Sequence, residues 1–291
     1  MTRSNTLTNV ATARRSAAAL ARVLGASALA GLALVAATGR AAAQTTYVGN
    51  AYGARADVSV LAGTALVNAR IADTGNLPAP GGNLTNGVAN ASLTAGLLNS
   101  INVLNSGVVN TATSGAGGLT DSSATVNNLT LFDNFLNIGS IVPNIVALLS
   151  ADVVTSQTTA TTSGTTGSSV ITNLRFGGSQ VTPTGALNQT LYLSALGSVN
   201  TSAGVGDLAR LVLNQQLING DGSRTTNAIN LTVLSSPLLG VVANSQVIVS
   251  SSTAGLTTVV PEPGTAGLAA AGLLPLAGAV VARRRRARRV A

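Results

Sequence analysis

The chain has 291 residues, with 16 basic residues that are all arginine, 8 acidic ones, a formal charge of +8, and no cysteine, histidine or tryptophan. Those absences exclude a thiolate nucleophile, a Ser-His-Asp triad, a disulfide framework and a zinc site of the usual Cys/His kind. The positive charge does not point to nucleic acid, because residues 44–259 hold only five arginines against seven aspartates, a net charge of −2, and offer no basic patch to a phosphate backbone.

Residues 1–43 have the organisation of a signal peptide. Arg3, Arg14, Arg15 and Arg22 make a positive front, Val23 to Ala37 is an apolar stretch of 15 residues, and Ala41-Ala42-Ala43 supplies the small side chains that signal peptidase reads. Cleavage is expected after Ala43, with Ala41 and Ala43 recognised and Gln44 as the new N-terminus. Bulky apolar residues do not follow Arg14-Arg15, so the general secretory route is expected rather than the twin-arginine one.

The body, residues 44–259, is rich in Val, Leu, Ile, Thr, Ser, Asn, Ala and Gly and poor in charge, a composition suited to half-buried strands joined by turns. The expected class is all-β: one antiparallel, β-sandwich-like domain with meander or Greek-key connections. Ala56 to Leu61 alternates, with Val58 and Val60 on one face, and Leu66 to Ile71 follows with Val67, Ala69 and Ile71 on one side. Residues 73–92 carry Pro78, Pro80, Gly81, Gly82 and Gly87 among asparagines, and predict a long loop. Leu93 to Val109 has mixed periodicity and fits a short helix followed by a strand. Ala124 to Leu131 predicts a strand. Ile138 to Leu149 suits a short helix or the start of a buried strand. Thr155 to Ser169 is almost entirely Ser, Thr, Gly, Ala and Gln, too polar to offset its ordering entropy by burial unless it is a polar edge strand, and the expectation is a flexible or marginal linker. Its threonine spacing is irregular, which argues against an ice-ordering array.

The plainest supersecondary signal is late in the chain. Leu208 to Ile218 leads through Asn219-Gly220-Asp221-Gly222-Ser223 into Thr225 to Leu234, where Ile229, Leu231 and Val233 share one face and Ala228, Asn230 and Thr232 the other. This predicts a β-hairpin whose glycines supply positive φ. Asn219, Asp221 and Ser223 alternate as oxygen ligands to calcium could, but no acidic residue follows to complete such a loop, and a simple turn is the expectation. Ser245 to Ser251 predicts a last strand. Leu213-Asn214-Gln215-Gln216, Thr226-Asn227-Ala228-Ile229-Asn230-Leu231 and Gln246-Val247-Ile248-Val249-Ser250-Ser251-Ser252-Thr253-Ala254-Gly255 together resemble the choice-of-anchor P family. The resemblance implies an exported β-rich body carried on a C-terminal anchor, and implies no activity. Members often have histidine where this chain has Asn230.

Residues 260–289 form a second targeting unit. Val260-Pro261-Glu262-Pro263-Gly264 precedes Ala266 to Ala282, a run of 17 uncharged residues. As a helix this run spans about 25 Å, the short limit for a bilayer core. Arg283, Arg284, Arg285, Arg286, Arg288 and Arg289 follow and are expected to hold that end on the cytoplasmic side, with the body outside. Pro-Glu-Pro, apolar helix and arginine cluster in this order resemble the PEP-CTERM sorting signal, a motif also called the ice-binding protein C-terminal domain. The resemblance implies an exosortase as processing partner, with Pro261, Glu262 and Pro263 as its recognition element, and transient anchoring in the inner membrane before display at the cell surface or in an extracellular matrix.

No catalytic residue, metal site or cofactor follows from these patterns. The aspartates Asp57, Asp73, Asp121, Asp133, Asp152, Asp207 and Asp221 are dispersed, and no motif forces two together as a glycosidase requires. The expectation is a non-enzymatic surface or matrix protein, with extracellular polysaccharide as a partner and no nucleic acid. A carbohydrate- or ice-binding module is the alternative, and a carboxylate-based hydrolase ranks behind it.

Overall fold

The computed structural model describes residues 44–59, 66–95, 101–133, 147–234 and 244–259. Their strands, in chain order, are β1 (Gln44–Ser59), β2 (Leu66–Ile71), β3 (Gly82–Val88), β4 (Ala91–Ala95), β5 (Ile101–Ser106), β6 (Val109–Ala116), β7 (Leu119–Asp133) and β8 (Ala147–Thr161). There follow β9 (Gly164–Thr172), β10 (Arg175–Phe176), β11 (Ser179–Gln180), β12 (Gln189–Leu193), β13 (Val199–Asn200), β14 (Ala209–Ile218), β15 (Arg224–Val233) and β16 (Gln246–Val259). Residues Thr45–Thr258 form one unit. The all-β expectation holds for these residues; the predicted signal peptide and C-terminal helix lie outside them.

The strands make two antiparallel sheets. One has seven strands in the order β13-β12-β14-β15-β16-β1-β2. Ser59 meets Ser245 and Val48 lies beside Gly255, so β1 and β16 also run antiparallel. The other sheet has nine strands and is organised on the long pair β7 and β8, which stay in register from Leu119↔Thr161 to Asp133↔Ala147. Each splits its free edge between two partners: β7 pairs first with β6 and then with β5, and β8 first with β10 and then with β9. Tight turns follow from glycine pairs. Gly117-Gly118 and Gly177-Gly178 all take positive φ, as a two-residue turn between twisted strands requires.

The two sheets face each other through an interior of two chemically different halves. In one half Leu193, Leu211, Leu213, Ile229, Leu231, Val247 and Val249 meet Val103, Leu129, Leu131, Leu149, Leu174 and Phe176 in one buried apolar cluster. In the other half the buried side chains are Thr113, Thr120, Ser122, Ser156, Thr158, Thr226, Ser250 and Ser252. They are satisfied across the gap. Thr158 Oγ1 bonds Thr226 Oγ1 at 2.8 Å and the Ser252 carbonyl at 2.9 Å, Thr120 Oγ1 donates to the Gly255 carbonyl at 2.9 Å, and Ser250 Oγ donates to the Ala124 carbonyl at 2.8 Å. A single hydroxyl reaching the opposite backbone brings the sheets closer than the usual ~10 Å. Glycine makes that approach possible: a Cβ on Gly49 would meet Thr113 Oγ1, and one on Gly53 would meet Val109 Cγ1.

The halves are joined by a rotation in the long strands. In β14 the inward residues pass from Leu211 and Leu213 to Gln216, and in β16 from Val247 and Val249 to Ser250 and Ser252. Asn214 and Ser250 have φ of 49° and 54°, left-handed values in otherwise extended strands. The register is unchanged on either side: Leu213↔Ile229 is followed by Gln215↔Asn227, and Ile229↔Val249 by Asn227↔Ser251. No residue is inserted, so one left-handed residue exchanges the two faces of the strand. In β7 Asn128, with φ 50°, marks the same change from Val126 to Leu129. Asparagine tolerates this conformation through its short polar side chain.

Several expectations are corrected. The segment Thr155–Ser169 is no flexible linker: it pairs across β8 and β9 from Val153↔Thr172 to Thr161↔Gly164, with Ser156, Thr158 and Ala160 fully buried. The predicted loop 73–92 ends at Gly81, since Gly82–Val88 pairs along its whole length with β6; as an exposed edge strand it carries no alternation to read. Of the stretch Leu93 to Val109, residues 93–95, 101–106 and 109 belong to β4, β5 and β6, and residues 96–100 lie outside the described residues; among the described residues there is no helix. Strand β1 begins at Gln44 rather than Ala56. Residues 138–146, predicted as helix or strand start, lie outside the described residues.

The interior makes a direct prediction. Thr158→Val keeps the volume but leaves Thr226 and Ser252 without their buried partner, and should cost about 1–3 kcal/mol. Gly53→Ala should cost about 1–3 kcal/mol by overpacking against Val109. Denaturant unfolding checks both, and an unchanged midpoint for Thr158→Val would refute the role given to the inter-sheet hydroxyls.

Candidate functional site

The outer face of the seven-stranded sheet carries Tyr192, Arg210, Gln215, Asn227, Asn230 and Gln246. Because Leu211, Leu213, Ile229 and Leu231 point inward, strand alternation sends Arg210, Val212, Asn230 and Thr232 outward. The register aligns them in rows. Tyr192, Arg210, Thr232 and Gln246 are successive partners across β12, β14, β15 and β16. Beyond the rotation, Gln215, Asn227 and Ser251 form a row, and Leu217, Thr225 and Thr253 another.

A network of amides occupies the middle of this face. Gln215 Oε1 accepts from Asn227 Nδ2 at 2.8 Å and from Asn230 Nδ2 at 2.9 Å. Gln246 Nε2 donates to Asn230 Oδ1 at 2.8 Å, and Ser251 Oγ donates to Asn227 Oδ1 at 2.7 Å. Asn227, Asn230 and Ser251 are buried. These five residues lie in the three stretches on which the choice-of-anchor P resemblance rests. Asn230 uses one donor and one acceptor here, the same pair that a neutral imidazole offers.

At the end of the face beside the β14–β15 turn lies an open groove of about 600 Å3, bordered by Tyr47, Asn50, Tyr52, Arg70, Asp221 and Thr253. Tyr47 accepts a hydrogen bond from the Gly118 amide at 3.1 Å. Arg70 sits over the Tyr52 ring, 5.0 Å from its centroid, and pairs with Asp73 at 3.0 Å. Asp73 also accepts from Asn50 Nδ2 at 3.0 Å and from the Gly75 amide at 2.9 Å. Burial pushes its carboxyl up, but the Gly75 amide, Arg70 and Asn50 together outweigh burial and hold it below 3.8.

The turn residues suggested as calcium ligands are engaged with one another. Asp221 Oδ1 accepts from the Ser223 hydroxyl at 2.6 Å and the Ser223 amide at 2.9 Å, which lowers its pKa. Asn219 Nδ2 donates to Ser223 Oγ at 2.8 Å and Thr225 Oγ1 at 3.0 Å. Of the two glycines expected to take positive φ, Gly222 does, at 80°.

Four of the other five aspartates are held at separate places. Asp57 pairs with Arg55 at 2.8 Å, Asp121 accepts from Thr159 at 2.7 Å, Asp152 accepts from Asn173 at 2.6 Å, and Asp207 accepts from the Gly204 amide at 2.6 Å. Among the described residues no three acidic side chains gather. Of the residues singled out for processing, Gln44 is the first of β1, while Ala41, Ala43, Pro261, Glu262, Pro263 and the arginines from Arg283 to Arg289 lie outside the described residues. The outer-face set was not singled out from sequence, although a hairpin centred on Asp221 already places Arg210 opposite Thr232.

The described residues define an all-β domain of two antiparallel sheets with a polar outer face. No family model matches the chain, and no curated protein or solved structure does either.

The Asp73 cluster predicts a pH dependence. The folded carboxyl binds its proton less tightly than the unfolded chain does, so its contribution to stability is complete above pH 3.8 and is lost as pH falls through the lower folded value. Asp73→Asn should therefore flatten the loss of thermal stability between about pH 5 and pH 2. Identical pH profiles for the variant and the parent chain would refute this coupling.

Proposed function

We propose that this chain is an exported, non-catalytic protein of the cell surface or extracellular matrix, sorted through its C-terminal tail. The observation that carries the proposal is the order Pro261-Glu262-Pro263, apolar run, arginine cluster at one end of a chain whose other end reads as a signal peptide. In this reading signal peptidase cuts after Ala43, the tail lodges in the inner membrane, and an exosortase acts near the Pro-Glu-Pro element. The body suits such a destination. The chain has no cysteine, so its fold does not depend on disulfides and the redox state of the compartment does not bear on them.

A second reading, a saccharide-binding surface module, is favoured by the groove, which brings together two of the chain's 3 tyrosines with amide, hydroxyl and carboxylate groups. Its ice-binding variant draws on the outward Thr125, Thr155 and Thr159 of the nine-stranded sheet. A carboxylate-based hydrolase has less support, since each carboxylate described above has its own separate partners.

Mass spectrometry of the protein from fractionated native cells tests the sorting reading. The expected result is a body outside the cell that begins at Gln44 and lacks everything beyond the Pro-Glu-Pro region, and that is retained with its tail when the six tail arginines are replaced by glutamine. An intact tail in the inner membrane of cells carrying the natural sequence would overturn it.

A further inference from the structure

The groove beside the β14–β15 turn meets a ligand with acceptors, because the side chains around it spend their donors on one another. The Ser223 hydroxyl donates to Asp221 Oδ1, so Ser223 Oγ accepts from Asn219 Nδ2, and the same Nδ2 donates to Thr225 Oγ1. Both hydrogens of the Asn219 amide are then used, and its Oδ1 is left over. On β1, Asn50 Nδ2 donates to Asp73 Oδ1, which leaves Asn50 Oδ1 over in the same way. Asp221 Oδ2 is the third oxygen that accepts nothing among the described residues. The oxygens of Asn219 and Asn50 are not among the buried atoms that lack a partner, and Asp221 is exposed, so a ligand can reach each of them.

Charge narrows the class of donor. Arg70 borders the groove, but its guanidinium pairs with Asp73 at 3.0 Å and lies over the Tyr52 ring. Arg224, next to the turn, donates to Gln216 and Thr165, and strand alternation puts it on the opposite face of β15 from Thr225, which lines the groove. Asp221 forms no ion pair among the described residues, and its two hydrogen bonds from Ser223 hold it ionised at neutral pH. The groove thus carries one uncompensated negative charge among neutral acceptors. Asp221 and Asn219 stand on the turn that closes β14 and β15, while Asn50 stands on β1, two strands beyond β15 across β16. At about 4.8 Å per strand that separation is about 10 Å. A lone ammonium group does not span it, whereas a chain of sugar rings does, and it brings hydroxyl donors along its length. We propose that this groove binds a polymer of amino sugars, with a protonated amine on Asp221 and ring hydroxyls donating to Asn219 and Asn50. The proposal rests on the saccharide reading of the same groove and narrows its ligand to a cationic one.

The experiment is calorimetric titration of the full chain in mild detergent, at a mildly acidic pH that keeps the sugar amine protonated and Asp221 ionised. The ligands are a glucosamine tetramer, its fully N-acetylated form, a glucose tetramer and tetralysine. The glucosamine tetramer should bind, and the other three at least about tenfold more weakly, as the loss of one charge-assisted hydrogen bond requires. Asp221→Asn keeps an oxygen for Ser223 and removes the charge, so it should fold as the parent does and weaken glucosamine binding at least about tenfold; unchanged affinity overturns the assignment. Asp152→Asn, on β8 of the other sheet, should leave binding unchanged, and an equal loss there overturns the site in favour of general charge attraction. The ligand series on the parent chain decides the amine contact whether or not a variant folds. Equal affinity for the free and the acetylated amine overturns that contact and leaves the saccharide reading standing. Binding to none of the sugars overturns both. Tetralysine binding as tightly as the glucosamine tetramer overturns the sugar assignment in favour of a basic peptide.

Discussion

Hydroxyl groups that cross from one sheet to the other set the terms for the rest of this structure. A threonine that donates to a carbonyl of the opposite sheet, as Thr120 does to Gly255 and Thr158 to Ser252, holds the two backbones at a distance that larger side chains forbid. Many of the facing positions are therefore glycine, serine or threonine. Gly49, Gly53, Gly115, Gly167 and Gly255 all lie where an added Cβ would press on a neighbour. The apolar half of the interior, filled by leucines and by Phe176, needs a wider gap. One pair of sheets satisfies both because the long strands rotate where the two halves meet.

That rotation also explains the outer face. When Asn214 and Ser250 take left-handed conformations, the residues that follow change sides, and polar side chains on either side of the rotation come together outside. Gln215 thereby reaches both Asn227 and Asn230, two residues that an uninterrupted strand would place on opposite faces. The buried amide network is a product of the same backbone feature that divides the interior. It fixes the side chains of Gln246 and Asn230 on this face.

A fold that relies on hydrogen bonds and close packing, without disulfide cross-links, has to satisfy nearly every buried polar group. Here the hydroxyl-filled half does so internally, through pairs such as Thr113 with Ser122 at 2.6 Å and Ser250 with Ser156 at 3.2 Å. Among the described residues five buried side-chain atoms, one each of Arg55, Asn102, Ser106, Arg210 and Thr232, lack a hydrogen-bond partner.

The sequence by itself determined the class of the domain, the β14–β15 hairpin and the last strand, because each depends on local alternation and turn chemistry that a short window contains. It also carried the order of the segments at both ends on which the sorting proposal rests. It misread Thr155–Ser169, since a run of small hydroxyl residues has the composition of a linker until an opposite sheet supplies its hydrogen-bond partners. It missed β3, whose exposed asparagines and glycines are held by pairing with β6 alone. Only the tertiary structure decided which residues share the outer face. The alternation that assigns faces from sequence fails at Asn214, Ala228 and Ser250, where the strands rotate together, and such a rotation is fixed by the packing of two sheets rather than by any one strand's residues.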